Sequence, residues 1–186
     1  MGLDVSYYKL GKQVEVDENI EPFSSEFYEK YGDSLIRLGD YYGWDQSDGI
    51  EDGYYESEYL GSFRAGSYSG YSWFRNTLTE LANMALLEND KLKDIYGPDS
   101  EPFESLTNFS DCEGYIGPFT SRNLAASFND FEEPIIIDII KMAKYGVKRE
   151  LYDRYSKDDL DYFTTKYREW RTAFNAVSGE GVVLFH

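Results

Sequence analysis

The stretch SKDDLDYFTTKYREWRTAFNAVSG, residues 156–179, constrains the fold of this chain more than any other. Leu160, Phe163, Tyr167, Trp170, Phe174 and Val177 recur at helical spacing and make one aromatic-rich stripe along a long helix. Ser156 stands where an N-cap belongs, Asp158 and Asp159 put carboxylates at the positive helix end, and Gly179 supplies a stop. A stripe of this kind has to be buried against a broad apolar surface. The run GVVLFH follows directly and reads as a short central strand, so the expected partner is a sheet.

Other segments supply the rest of that sheet and its cover. LDVSYYKL, residues 3–10, is β-prone, and with GKQVEV after it a hairpin through Gly11 and Lys12 is expected. Residues 21–38 have helical character in their first half, with Ser24 or Ser25 as the cap and a break at Gly32. YLGSFRA, residues 59–65, alternates like a strand, and SWFRNTLTELANMALL, residues 72–87, places Phe74, Leu78, Leu81, Ala82 and Ala85 on one helical face. Pro98, Pro102 and Pro118 mark residues 93–118 as loop-rich. A helix beginning at Thr120 or Ser121 and running to Pro134 comes next, followed by an apolar helix ending at Gly146. The expectation is one α+β domain over residues 1–186, with a small mixed or antiparallel sheet packed against several helices.

Charge narrows the function. The chain has 35 acidic and 18 basic residues, a formal net charge of −17, which repels nucleic-acid phosphate and argues against direct nucleic-acid binding. The charge is uneven, since residues 1–140 hold 28 acids and 9 bases whereas residues 141–171 hold 6 acids and 9 bases. Residues 40–58 contain seven acids, no base and five aromatics, and are expected to form an acidic Tyr/Gly-rich loop. The lone cysteine, Cys112, excludes an intramolecular disulfide and a multi-thiolate zinc site. No membrane-length apolar run or signal-peptide pattern is present, so a cytoplasmic setting is expected, with a homo-oligomer left open.

Three constellations carry candidate chemistry. RAGSYSGYSWFR, residues 64–75, reads as a strand-to-helix turn whose amides face a positive helix end. There Gly66 and Gly70 admit positive φ, Ser67, Ser69 and Ser72 offer hydroxyls, Arg64 and Arg75 offer charge, and Tyr68 and Tyr71 offer rings for stacking. The alternative is that Ser72 only caps the helix and the glycines only permit the turn. The pattern is neither a P-loop, lacking Gly-Lys-Ser/Thr, nor a serine elbow, since Tyr68 is central in GSYSG. In NFSDCEGYIGP, Asp111 and Glu113 suit a ribose hydroxyl or acid–base work, with capping of loop amides as the competing role. His186 is the only histidine and the only imidazole base that Cys112 would have. On the last helix, Lys166, Arg168 and Arg171 border the aromatic stripe and would complete an anion pocket if they faced the turn. No metal or cofactor pattern and no catalytic group stands out.

MGLDV at the start, FRAGSYSGYSWFR, PFESLTNFSDCEGYIGP, and YREWRTAF with GVVLFH together resemble a family of uncharacterised phage and prophage proteins. The resemblance spans most of the chain in scattered blocks, and the acidic segment 40–58 departs from it. It implies a bacterial-host setting and an accessory role against host defence. Two mechanisms follow: sequestration of a small anionic, nucleotide-like ligand in a pocket of the three constellations, or nucleic-acid mimicry by the acidic face against a host defence protein. An enzyme acting on a nucleotide is the third reading.

Overall fold

The structure is a computed structural model that describes residues 2–39, 47–109, 113–145 and 154–186. Five antiparallel strands form one curled sheet: β1 (Leu3–Val14), β2 (Leu35–Leu38), β3 (Gly53–Gly66), β4 (Gly114–Ile116) and β5 (Gly181–Phe185), in the order β2-β3-β1-β5-β4. The helices are α1 (Ser25–Tyr31), α2 (Tyr68–Glu88), α3 (Asp90–Tyr96), α4 (Glu104–Thr107), α5 (Pro118–Asp130), α6 (Asp138–Tyr145) and α7 (Lys157–Val177), with a π turn at Glu133–Ile137. The α+β expectation holds, and β5 is interior, paired to β1 on one side and β4 on the other.

Alternation along the strands sorts side chains into two layers. Val5, Phe63, Val183 and Phe185 face α2, α5 and α7, where they meet Phe74, Leu78, Phe128, Phe163, Trp170 and Phe174 in the main core. The stripe read from the sequence is this core, with Phe163, Tyr167, Trp170, Phe174 and Val177 all buried. Tyr8, Leu10, Leu184 and Val182 point the other way. The curl brings Leu38 of one edge strand and Tyr115 of the other into a single cluster with them. α1 closes the far end, with Phe27 buried against Ile20 and Leu35.

Several boundaries differ from expectation. There is no hairpin at Gly11 and Lys12; β1 runs through them, and the pairing with β3 shifts register between Leu10 and Gln13. A Cβ on Gly11 would come within 2.9 Å of the Glu56 side chain, so glycine suits this close bulge. The expected strand 59–65 starts earlier, at Gly53, and takes in the end of the supposed acidic loop. Glu56 and Glu58 are exposed there while Tyr55 and Ser57, which alternate with them, are half-buried, so the acids occupy the solvent face of a strand. Residues 40–46 of that segment lie outside the described residues. The loop-rich region 93–118 contains the end of α3, all of α4 and β4. α5 begins at Pro118 after Gly117, not at Thr120 or Ser121. Its first turn is capped from a distance, because the Asp48 carboxylate accepts from the Thr120 amide and hydroxyl, each at 2.8 Å.

Candidate functional site

The turn from Arg64 to Gly70 is shaped around a tyrosine of another element. Gly66 ends β3 at φ +135°, where a Cβ would sit 2.7 Å from the Tyr162 hydroxyl, and a Cβ on Gly70 would sit 3.2 Å from the same oxygen. Tyr162 belongs to α7 and donates to the Ala65 carbonyl at 3.3 Å. Burial, with the Glu169 charge added, raises its phenol pKa above the ordinary value. The glycines therefore let α7 close over the turn.

Ser67, not Ser72, is the N-cap of α2. Its hydroxyl accepts from the Gly70 amide at 3.1 Å and lies 3.1 Å from the Ser69 hydroxyl. Gly70 is consequently helical rather than at positive φ. The early start also turns Tyr71 inward, fully buried, with its ring stacked on Trp170 at a centroid distance of 5.7 Å. Arg75 lies over that ring at 4.4 Å and donates to the Phe109 carbonyl at 2.6 Å. Tyr68 and Ser69 remain at the surface, Tyr68 being 40% exposed.

The Arg75 bond ties the turn to the second sequence block. Asp111 and Cys112 of that block lie outside the described residues. Phe109 is buried 4.5 Å, ring to ring, from Phe185, and Gly114 pairs with Phe185 as β4 begins. Glu113 is exposed at the entry to β4.

Strand register then gathers residues that sequence spacing keeps far apart. Arg64 on β3 pairs with Asp4 on β1, and the Arg64 Nη1 to Asp4 Oδ1 distance is 3.6 Å. Asp4 and His186 exchange backbone hydrogen bonds at 2.9 and 3.0 Å. Because Gly114 pairs with Phe185, Glu113 stands beside His186. Arg64, Asp4, His186 and Glu113 thus form one cross-strand row on the face turned away from α2, α5 and α7. One row further in, Ser6 is 5% exposed, and its hydroxyl lies 2.9 Å from His186 Nε2. Glu113 also lines a cavity of about 450 Å³ with Phe23, Ile36, Arg37 and Leu184.

The basic edge of α7 is split up. Lys166 reaches the turn, donating at 2.6 Å to both the Arg64 carbonyl and Glu169. Arg171 turns to α5 and the π turn, bonding Asn129 at 2.7 Å and Glu132 at 2.8 Å. Arg168 projects into a separate groove beside Tyr7 and Phe63. The turn and the Glu113 end of the second block therefore stand at opposite ends of one four-strand row, about 14 Å apart at the usual strand spacing, and Arg168 and Arg171 do not join them. Asp4, Ser6 and the place of His186 escaped the sequence reading because they enter only through pairing of the two chain ends. Among the described residues no group of three or more His, Cys, Asp and Glu side chains is placed to hold a metal ion, and no helix is long and apolar enough to cross a membrane.

No protein-family model, curated protein or solved structure matches the chain.

Proposed function

We propose that this chain is a binding protein for a small anionic, nucleotide-like ligand, taken up where the cross-strand row meets the start of α2. The observation that supports this reading is the convergence of the Arg64–Arg75 turn, Glu113 and both terminal strands on one end of the sheet. The Tyr68 and Ser69 amides sit at the positive end of α2, where first-turn N–H groups have no intrahelical acceptor, and Arg64 lies three residues before the cap. The Arg64–Asp4 pair is long and solvent-exposed, so exchanging it for a phosphate costs little. Asp4 and Glu113 supply acceptors for ribose hydroxyls, and Phe23 and Tyr68, 48% and 40% exposed, supply rings. The adjoining cavity of about 450 Å³ falls in the usual range for small-molecule sites. The phage resemblance supplies a setting in which the ligand is a nucleotide signal of the host and binding sequesters it.

Thermal denaturation against a panel of cyclic and ADP-ribose-derived nucleotides tests this. One or more should raise the melting temperature, Arg64→Ala should remove the shift, and the ligand should be recovered intact. Absence of any shift across the panel would sink the reading, and a chemically altered ligand would favour an enzyme.

A second reading has its own observation. Residues 15–33 carry seven acids and one base, all seven acids are exposed, and Phe23 and Tyr28 stand among them 48% and 45% exposed. This face suits a basic host protein and moves the nucleic-acid-like surface from segment 40–58 to α1 and its flanks. Reversal of Glu21, Glu26 and Glu29 to lysine should abolish a low-salt complex. A complex that survives the reversal would remove this alternative.

A further inference from the structure

Arg168, which the fold separates from the turn, stands in a groove of about 390 Å³ between α7 and strands β1 and β3. Thr165, Arg168 and Thr172 line one wall at helical spacing, so they share one face of α7. The opposite wall depends on a bulge. Tyr7 pairs with Gly61 but Tyr8 pairs with Tyr59, and Gly61, at φ +157°, leaves the space of its missing side chain to the Tyr7 hydroxyl. The Phe63 ring, held edge-on against Trp170 at 4.9 Å, forms an apolar floor.

Arg168 is the pure donor of this groove, and its hydroxyls can donate as well as accept. Among the described residues, the Arg168 guanidinium, the Tyr7 hydroxyl and the Thr172 hydroxyl engage no protein acceptor. The one carboxylate present, Glu169, already accepts from Lys166 at 2.6 Å. A groove lined by both a planar fork of donors and an aromatic ring selects an anion borne on a flat ring. The groove offers one guanidinium with the Glu169 carboxylate beside it, which matches a single negative charge. We infer that the groove between Arg168, Tyr7 and Phe63 binds a monoanionic ring carboxylate, independently of the nucleotide site.

The probe is 4-hydroxybenzoate, followed by saturation-transfer NMR and titration calorimetry on the full chain. Saturable binding should be lost in Arg168→Gln, which keeps the aliphatic stem. It should fall about tenfold in Arg168→Lys, where a point charge replaces the fork, and be unchanged in Arg64→Ala. The corresponding neutral alcohol, 4-hydroxybenzyl alcohol, should bind more weakly than the acid. Absence of saturable binding, wild-type affinity in Arg168→Gln, or equal affinity for acid and alcohol would each overturn the inference. Loss in Arg64→Ala would do the same by placing the ring carboxylate in the other site.

Discussion

At the scale of single residues, backbone conformation and distant contacts decide what a side chain can do. Gly66 is held at φ +135° under the Tyr162 hydroxyl, so Gly66→Ala should cost about 1–3 kcal/mol, read as a lower urea midpoint with unchanged slope. Tyr167 is fully buried and donates to the Phe128 carbonyl at 2.7 Å. Tyr167→Phe strands that carbonyl and should cost about 1–2 kcal/mol by the same measurement. Asp159 accepts from the Ser156 hydroxyl and amide at 2.7 and 2.9 Å, bonds that hold its carboxyl below the ordinary value. A depressed folded-state pKa contributes stability above the unfolded value that disappears as pH falls through the folded one. Asp159→Asn should therefore flatten the acid limb of a stability–pH curve below about pH 4, and an unchanged limb would show that the capping box is not felt there.

At the scale of elements, legibility followed the distance between an element and whatever fixes its ends. α7 and α1 carry their own caps, Ser156 and Ser24, immediately before the helices they start, and both were readable. For α2 the sequence pointed to Ser72 as the cap, and burial of Tyr71 in line with Phe74 and Leu78 moves the start back to Ser67, a decision made by the core. α5 was readable as a helix, but its start lies two or three residues before Thr120 or Ser121, and the carboxylate that caps its first turn, Asp48, is 72 residues away. Asp48→Ala should loosen the start of α5 at a cost of about 1–2 kcal/mol, visible as faster amide exchange at Thr120 and Ser121. The candidate site follows the same rule. Its turn was visible as a local block, whereas its row depends on strand register and was not.

At the scale of the whole molecule, −17 is a repulsive load that the fold carries on its surface, with carboxylates paired across strands only in part, as in Lys9–Glu180 and Lys12–Glu56. Screening should relieve it, so the melting temperature should rise as salt increases from low ionic strength to about 0.15 M, where the Debye length is about 8 Å. A temperature that falls over that interval would mean that the attractive pairs outweigh the excess charge.

The pairing of β1 with β5 sets a schedule as well as a shape. Val5 lies opposite Phe185, and Asp4 shares two hydrogen bonds with His186, so one edge of β1 stays unmatched until the far end of the sequence has been made. At roughly 5–20 residues per second this is a wait of about 10–35 s. During it β1 can settle against β3, but its open edge and the Val5 side of the future core lack their last partner. Nascent chains should accordingly be most prone to aggregate or to recruit chaperones in this window, and the row of Arg64, Asp4, His186 and Glu113 cannot assemble before it closes.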